Sequence, residues 1–346
     1  MLRLDPANMS SLLQSQPDQT NDMCPYSDPP YGEFTDDHVF PNFLGGRRTI
    51  RVCRDCNSCF GHSFEAKAAS QLKQMQVFIS HFGLDLTHVP GIWPSALEID
   101  GTTYNLLSGP DGVQYELARP VIRRDESGKI IGGQARSRSE AEQFAASLLK
   151  KGIVKEVTIE EAPRKTLDDI KLTVGISYND DLYRFSTKLV GNTAVAMGYE
   201  AFIKQSHVAH YLHGSTGWGV CAAYSDTSAI RKLRPPLSHT VYLEFGPLQS
   251  HAVVILFGGW QIYVPLPRAE QDAVLGYLDP ITGTEFFGRT KVLNMTPSPR
   301  SLTEAEWGVH VAYVNKRLEE EANSRGAKHP PNLTIPSFDF GPAGAK

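Results

Sequence analysis

The sequence predicts an α+β protein, in which a small N-terminal module precedes a larger mixed α/β region with an antiparallel sheet. The first observation behind this prediction is a compact segment, residues 23–85, that combines clustered cysteines, a short strand pattern and a helical pattern. The second is a set of three apolar runs between residues 239 and 266, separated by Gly/Pro/Ser-containing breaks, which is typical of an antiparallel meander.

Composition bounds the class of protein. The 346 residues are 41% hydrophobic and 21% charged, which is ordinary for a globular protein with a real core. No apolar run approaches the roughly 20 residues needed to span a bilayer, and the N-terminus is polar and lacks a signal-peptide core. We therefore expect a cytoplasmic protein without a membrane partner. The net charge of −4 does not indicate a nucleic-acid binder, so such a function would depend on a local basic patch.

The elements follow in order along the chain. Residues 1–22 are expected to be a flexible N-terminus. In residues 23–85, TIRV (Thr49–Val52) predicts a strand, and a helix is predicted from Ser63. The apolar stripe that predicts this helix contains Phe64, Ala68, Leu72, Met75 and Ile79. The polar Glu65 is expected to lie on its surface.

Residues 86–165 predict a strand-rich middle region. Asp100-Gly101 indicates a hairpin, and a second turn is expected at residues 126–128. RSRSEAEQFAASLLKKG predicts a helix with Ser139 as its N-cap, and IVKEVTIEEA predicts another strand.

Residues 166–325 predict a C-terminal α+β region. LYRFSTKLVGNTAVAMGYEAFI has the period of one long helix, although Gly191 and Gly198 weaken it. HTVYLEF, HAVVILF and WQIYVPL are the strands of the meander. Residues 326–346, rich in Pro, Gly and Ala, are expected to be a flexible tail.

The cysteines point to a metal site. The chain has five cysteines, four of them within the first 59 residues. In a cytosolic protein such clusters bind zinc more often than they form disulfides. Cys53 and Cys56 form a C-x-x-C pair, and Cys24 can supply a third ligand. The fourth is left open between Cys59 and His62, because Ser27 stands where a second C-x-x-C would need a cysteine. The alternative is a set of free thiols, and Cys221 is expected to be a core residue.

One ordered motif carries the chemistry: Asp37-His38-x-x-Pro41-x-x-Leu44-Gly45-Gly46, then Cys53-x-x-Cys56-Asn57. It resembles the HNH endonuclease family, and in particular the cysteine-containing subgroup in which zinc holds the module together. The resemblance covers residues 23–82 and implies a ββα-metal fold around one catalytic divalent ion. It also implies that Asp37 and Asn57 ligate this ion and that His38 is the general base. Oxygen ligands favour Mg²⁺ or Mn²⁺, whereas thiolates favour Zn²⁺.

The sequence departs from the family pattern at one catalytic position. The middle Asn that orients the histidine would lie near Arg48 or Thr49, and neither residue is Asn. Arginines crowd the same segment, and guanidinium groups match phosphate oxygens. The candidates for phosphate contact are Arg47, Arg48, Arg51 and Arg54, with solvated surface charge as the alternative.

The resemblance implies a metal-dependent DNA endonuclease, and it is compatible with a role in bacterial or phage defence or in mobile elements. RNA as substrate stays open, as does a homodimer built by the larger region. The alternative function is a non-cleaving, zinc-containing nucleic-acid-binding or regulatory protein. His207, His210 and His213 also recur at a ligand-like spacing, but no acidic or cysteine partner is obvious near them, so a second metal site is not favoured.

Overall fold

The computed structural model describes residues 23–28, 33–81, 92–99, 101–109, 112–160, 178–204, 207–215, 221–222, 230 and 237–293, and positions 312, 316, 320 and 323. The predictions for residues 1–22 and 326–346 lie outside these residues. Among the described residues, no helix combines the length and the apolar character needed to cross a bilayer.

The N-terminal module is an antiparallel hairpin followed by a helix. Strand β1 (Phe34–His38) pairs with β2 (Thr49–Cys53), and this register places His38 opposite Thr49. Helix α1 follows at once, as Arg54–Phe60, a π-helical turn at Gly61–Glu65, and Ala66–His81. The module therefore has the ββα order that the resemblance implies.

Helix α1 begins at Arg54 and not at the predicted Ser63. The buried stripe extends backwards from Phe64 through Phe60 to Cys56, in steps of four residues. Steps of four keep side chains on one helix face. The earlier start was missed because Cys56 reads as a metal ligand and not as part of an apolar stripe.

Gly45 and Gly46 shape the connection between β1 and β2. A short 3-10 turn, Asn42–Leu44, ends at Gly45, whose φ of 99° lies in the left-handed region that favours glycine. A Cβ on Gly46 would lie 1.7 Å from the Phe40 carbonyl oxygen. The turn therefore needs glycine at position 45 for its positive φ and at position 46 for its close approach to the Phe40 backbone.

The middle region contains two small antiparallel sheets and a helix. Strands β3 (Ile92–Ile99), β4 (Thr102–Gly109) and β5 (Gly112–Leu117) form one sheet. Strands β6 (Val121–Arg124) and β7 (Ile130–Gln134) form a hairpin. Gly101 and Gly128 have positive φ between paired strands, so both predicted turns are confirmed.

Helix α2 (Arg138–Lys150) corrects one predicted cap. Ser137, and not Ser139, is the N-cap, because its hydroxyl accepts a hydrogen bond from the Glu140 backbone N–H. The strand predicted at IVKEVTIEEA is wrong for its described part, since residues 153–160 form no strand. A strand needs a neighbour to satisfy its backbone groups, and these residues pair with none of the described strands.

The predicted long helix is divided into two. Helix α3 (Asp180–Ala196) ends just before Gly198, which has a φ of 87°, and α4 (Glu200–Lys204) follows. Asn179 caps α3 by accepting from the Leu182 backbone N–H. A further short helix, α5 (His207–Leu212), comes next.

The C-terminal strands are β8 (Cys221–Ala222), β9 (His239–Phe245), β10 (Ser250–Leu256), β11 (Trp260–Leu266), β12 (Asp272–Leu278) and β13 (Glu285–Arg289). They form one antiparallel sheet in the order β13-β12-β9-β10-β11-β8. Strands β9 to β11 are the predicted meander, which is confirmed. The α+β fold class is confirmed as well.

Helix α3 lies at the centre of the molecule. Every residue from Phe185 to Ala196 is buried, and α3 contacts α1, β2, β9 and β11. A single core cluster runs from Phe60 and Phe64 of α1, through Leu189 of α3, to Val254 and Ile262 of the sheet. The hairpin-and-helix module therefore shares its core with the C-terminal region.

Candidate active site and zinc centre

Asp37 and His38 occupy the end of β1 and differ in their surroundings. Asp37 is buried, with 6% of its surface exposed, whereas His38 is half-buried. Neighbouring residues of a strand point to opposite faces. The carboxylate therefore faces the interior of the module, where α3 packs against it.

Two side chains of α3 hold the Asp37 carboxylate. The Lys188 ammonium donates to Asp37 Oδ1 at 3.0 Å, and Asn192 Nδ2 donates to Oδ2 at 3.2 Å. Lys188 and Asn192 are four residues apart, which places both on the face of α3 that meets β1. Lys188 also donates to Glu65 Oε2 at 2.8 Å. The Lys188 side chain is 1% exposed, so its charge is neutralised by these two carboxylates and not by water.

Asn192 also fixes the backbone that carries His38. Its Nδ2 donates to the His38 carbonyl oxygen at 2.8 Å, and its Oδ1 accepts from the Tyr26 hydroxyl. Tyr26 can approach because Gly191 has no side chain, since a Cβ there would lie 2.6 Å from the Tyr26 oxygen. An asparagine that contacts the motif is thus present, but it comes from α3 and binds the backbone of His38.

Asn57 lies on the first turns of α1, beside β1. Its Nδ2 donates to the Asp36 carbonyl oxygen at 3.3 Å, which leaves Oδ1 as its ligand atom. Asp37 and Asn57 both offer oxygen, so their chemistry fits Mg²⁺ or Mn²⁺. Asp37 already binds the Lys188 ammonium, and a divalent ion would have to share this carboxylate with Lys188 or displace it.

Three cysteines meet where β2 joins α1. The Sγ atoms of Cys24, Cys53 and Cys56 all lie within 4.8 Å of one another, and all three residues are buried. Tetrahedral zinc with Zn–S bonds of about 2.3 Å separates its sulfurs by about 3.8 Å. Cys53 ends β2 and Cys56 lies in the first turn of α1, so the C-x-x-C pair spans the strand–helix junction. The donor set and its burial fit Zn²⁺.

The environment of Cys24 favours its thiolate form. A hydrogen bond from the Cys56 thiol lowers the pKa of Cys24 to about 4, helped by the backbone N–H groups of Cys53 and Tyr26 and opposed by burial. The same hydrogen bond, with burial, raises the pKa of Cys56. Zinc binds thiolates, so Cys24 is prepared to ligate it.

The two residues proposed as the fourth ligand lie apart from this cluster. Cys59 is exposed and is not one of the three grouped cysteines. His62 is exposed on α1, and its Nδ1 lies 2.7 Å from the Ser58 carbonyl oxygen. Ser27 is close to the cluster, with its hydroxyl oxygen 3.4 Å from Cys53 Sγ.

The four arginines fall into two groups. Arg47, Arg51 and Arg54 are exposed. Arg48 is held by the C-terminal region, because its guanidinium donates to the Ala196 carbonyl oxygen at 3.0 Å and lies 5.0 Å from the Phe287 ring centre. The exposed group therefore remains the candidate for phosphate contact.

Sequence reasoning missed the partners of the motif. Glu65 is expected on the surface but pairs with Lys188 in the interior. Lys188 and Asn192 follow Asp37 by 151 and 155 residues, and no local pattern links them to it. The sequence showed only the helical period of residues 182–203, in which these polar residues look like ordinary helix residues.

The comparisons with known proteins agree with the module. Residues 26–73 match a family model described as HNH endonuclease. No curated protein and no solved structure gives a match to the chain. The matched segment contains Asp37, His38, Cys53, Cys56 and Asn57, but neither Cys24 nor any residue of α3.

Proposed function

We propose that this protein is a metal-dependent endonuclease that hydrolyses phosphodiester bonds of DNA, because residues 26–73 match a family model described as HNH endonuclease. One observation carries the proposal. The strand that ends in Asp37-His38 is in direct contact with the helix residue Asn57, through the hydrogen bond to Asp36. This hydrogen bond places Asn57 next to the strand that carries Asp37 and His38 and so supports the proposal.

In the proposed mechanism, the half-exposed His38 imidazole removes a proton from the attacking water. Asp37 and Asn57 would hold Mg²⁺ or Mn²⁺ through their oxygens. When bound, such an ion neutralises the charge that develops on the phosphate and on the leaving oxygen. Asn192 fixes the backbone of His38 and so limits the positions that the imidazole can adopt.

Substrate binding would use the exposed Arg47, Arg51 and Arg54. Arg51 lies opposite Asp36 on the hairpin, and Arg54 starts α1, so both stand close to the motif. Guanidinium groups bind phosphate oxygens without reading sequence. This arrangement suits a nuclease module that positions the backbone and leaves sequence choice to other parts of the chain.

The test is a cleavage assay on supercoiled plasmid, in EDTA and then with Mg²⁺ or Mn²⁺. Cutting should require the divalent ion, and His38→Ala should lower the rate about 10²–10⁴-fold, the usual range for general acid–base catalysis. His210→Ala is the matched control, because His210 is an exposed histidine on α5. A His38→Ala protein that cuts as fast as the parent would exclude His38 as the base.

A second candidate function is a non-cleaving nucleic-acid-binding or regulatory protein. The observation that favours it is the burial of Asp37 against Lys188 and Asn192, which would also suit a purely structural carboxylate. This candidate predicts plasmid binding without cutting under either metal, measured by gel shift beside the cleavage assay. Parallel reactions with RNA decide between the two nucleic acids. A homodimer and a cytoplasmic location stay predictions.

A further inference from the structure

The candidate zinc centre has three cysteines in place, and the two fourth ligands that the sequence offered, Cys59 and His62, lie apart from them. Among the described residues, the imidazole that lies beside the cluster comes from a distant part of the chain. His213 Nε2 lies 3.6 Å from Cys56 Sγ, although the two residues are 157 positions apart. This histidine follows α5 directly and lies outside the segment that matches the HNH family.

The separation of these two atoms is that of neighbouring zinc ligands. Zn–S bonds of about 2.3 Å and Zn–N bonds of about 2.0–2.1 Å at a tetrahedral angle put sulfur and nitrogen about 3.6 Å apart. Two further contacts hold the ring. Its centre lies 5.1 Å from the Phe60 ring, and Nε2 lies 3.1 Å from the Tyr26 carbonyl oxygen. The ring is therefore held between α1 and the segment that bears Cys24.

The other candidates fit less well. Ser27 reaches the cluster, but a neutral serine hydroxyl is not among the usual zinc ligands, which are thiolate, imidazole and carboxylate. Cys59 is exposed and outside the group of three, and His62 has its Nδ1 directed at Ser58. Among the described residues, His213 is the histidine whose nitrogen lies at a ligand-like distance from a clustered sulfur. It is also exposed and outside the group of three, so zinc binding would draw its ring closer to the other two sulfurs.

We propose that His213 is the fourth zinc ligand, so that the ion is bound by Cys24, Cys53, Cys56 and His213. Zinc at Nε2 takes the place of the hydrogen that this nitrogen otherwise donates to Tyr26. The ion then joins the HNH module to α5, whose Val208, Tyr211 and Leu212 are buried in the shared core. Zinc thus fixes the placement of the C-terminal region on the nuclease module, in addition to holding the module together.

The first test uses the zinc-loaded, full-length protein and X-ray absorption at the zinc edge. The expected spectrum has three sulfurs and one nitrogen, with the outer-shell scattering that imidazole produces. His213→Gln should lose this scattering and weaken zinc binding more than 100-fold, since loss of an outer partner alone costs about 10–100-fold. His210 is an exposed histidine of α5, and His210→Gln should leave the imidazole scattering and the zinc affinity unchanged.

The second test is a rescue that works even where His213→Gln folds poorly. Because Ser27 already touches the cluster, Ser27→Cys combined with His213→Gln should bind zinc tightly again, now through four sulfurs. Ser27→Ala alone should retain imidazole scattering and parental affinity. In the parent protein, removing zinc with EDTA should increase the hydrogen-exchange rates of the α5 amides together with those around Cys24.

Three results would overturn the assignment. The first is a parental spectrum without imidazole scattering. The second is a His213→Gln protein that keeps this scattering and binds zinc within tenfold of the parent. That result would place another histidine at the metal and leave His213 as an N–H donor to the Tyr26 carbonyl. The third is loss of zinc in Ser27→Ala. Since each readout concerns the metal and not cleavage, failure here is separate from failure of the proposed nuclease activity.

Discussion

Lys188→Met removes the one buried cation between Asp37 and Glu65 while keeping most of the side-chain volume. The ammonium bonds to both carboxylates, at 3.0 and 2.8 Å, and Lys188 is almost fully buried. Removing one partner of a buried ion pair typically costs about 3–5 kcal/mol, because the remaining charge is left uncompensated. Asn192 still donates to Asp37 in the variant, so we expect the lower end of this range.

Thermal unfolding measures this cost. At about 2–4 °C per kcal/mol, Lys188→Met should lower the midpoint by about 6 °C or more. Lys67→Met is the matched control, since it removes a lysine that also bridges α1 and α3, through a 3.2 Å contact with Asp181. The Lys67 side chain is 64% exposed, and an exposed pair contributes about 1 kcal/mol or less. Equal midpoints for the two variants would refute the argument from burial.

The same variant tests whether Lys188 and a divalent ion compete for Asp37. Two unit charges 4 Å apart interact by about 4 kcal/mol at an effective dielectric of 20. Loss of the ammonium should therefore tighten Mn²⁺ binding tenfold or more, and Mn²⁺ should recover part of the lost stability. Calorimetric titration of parent and variant gives both affinities. Unchanged Mn²⁺ affinity would show that the ion does not bind at Asp37.

Two further predictions concern stability. Gly46→Ala should destabilise the protein by about 1–3 kcal/mol or more in urea unfolding, because the added Cβ meets the Phe40 carbonyl oxygen. At Gly61 the backbone is helical and an added Cβ would meet nothing within 4 Å, so Gly61→Ala should instead stabilise the protein by about 0.5–1 kcal/mol. Destabilisation of equal size in both variants would contradict this reasoning. Burial lowers the pKa of His239 to about 3, so the unfolded chain binds this proton first. The contribution of the neutral, buried His239 to the free energy of unfolding is therefore complete above about pH 6.5. It declines below that pH and is smaller by about 2 kcal/mol at pH 5. Replacing His239 with Leu should flatten this slope between pH 7 and 5, whereas the same change at the exposed His210 should not.

The parts of the fold that sequence could predict are those with local signals. The ββα order follows from a motif confined to residues 37–57, and the meander follows from short apolar runs between turn residues. Helix ends were less accessible. Ser137 and Ser139 are both good caps, and only the capping hydrogen bond to Glu140 decides between them.

The partners of the site could not be predicted, because they depend on how α3 packs. Lys188 and Asn192 look like ordinary polar residues of a helix until β1 is placed against them. His213 is similar, since the sequence showed only its ligand-like spacing from His207 and His210, which did not favour a metal site. In the structure all three histidines are exposed, and of the three only His213 contacts a cysteine of the cluster.

These contacts bear on what the HNH module can do by itself. Residues 26–73 carry the motif, but the cation that compensates Asp37 and the amide that holds the His38 backbone both belong to α3. An isolated module would bury the Asp37 and Glu65 carboxylates without their lysine, or expose them to water. The hairpin would then no longer be held in one conformation at Asp37, the residue before the proposed base His38. The geometry of the proposed nuclease site therefore depends on the ββα module and α3 packed together, and α3 in turn is fixed by the C-terminal sheet.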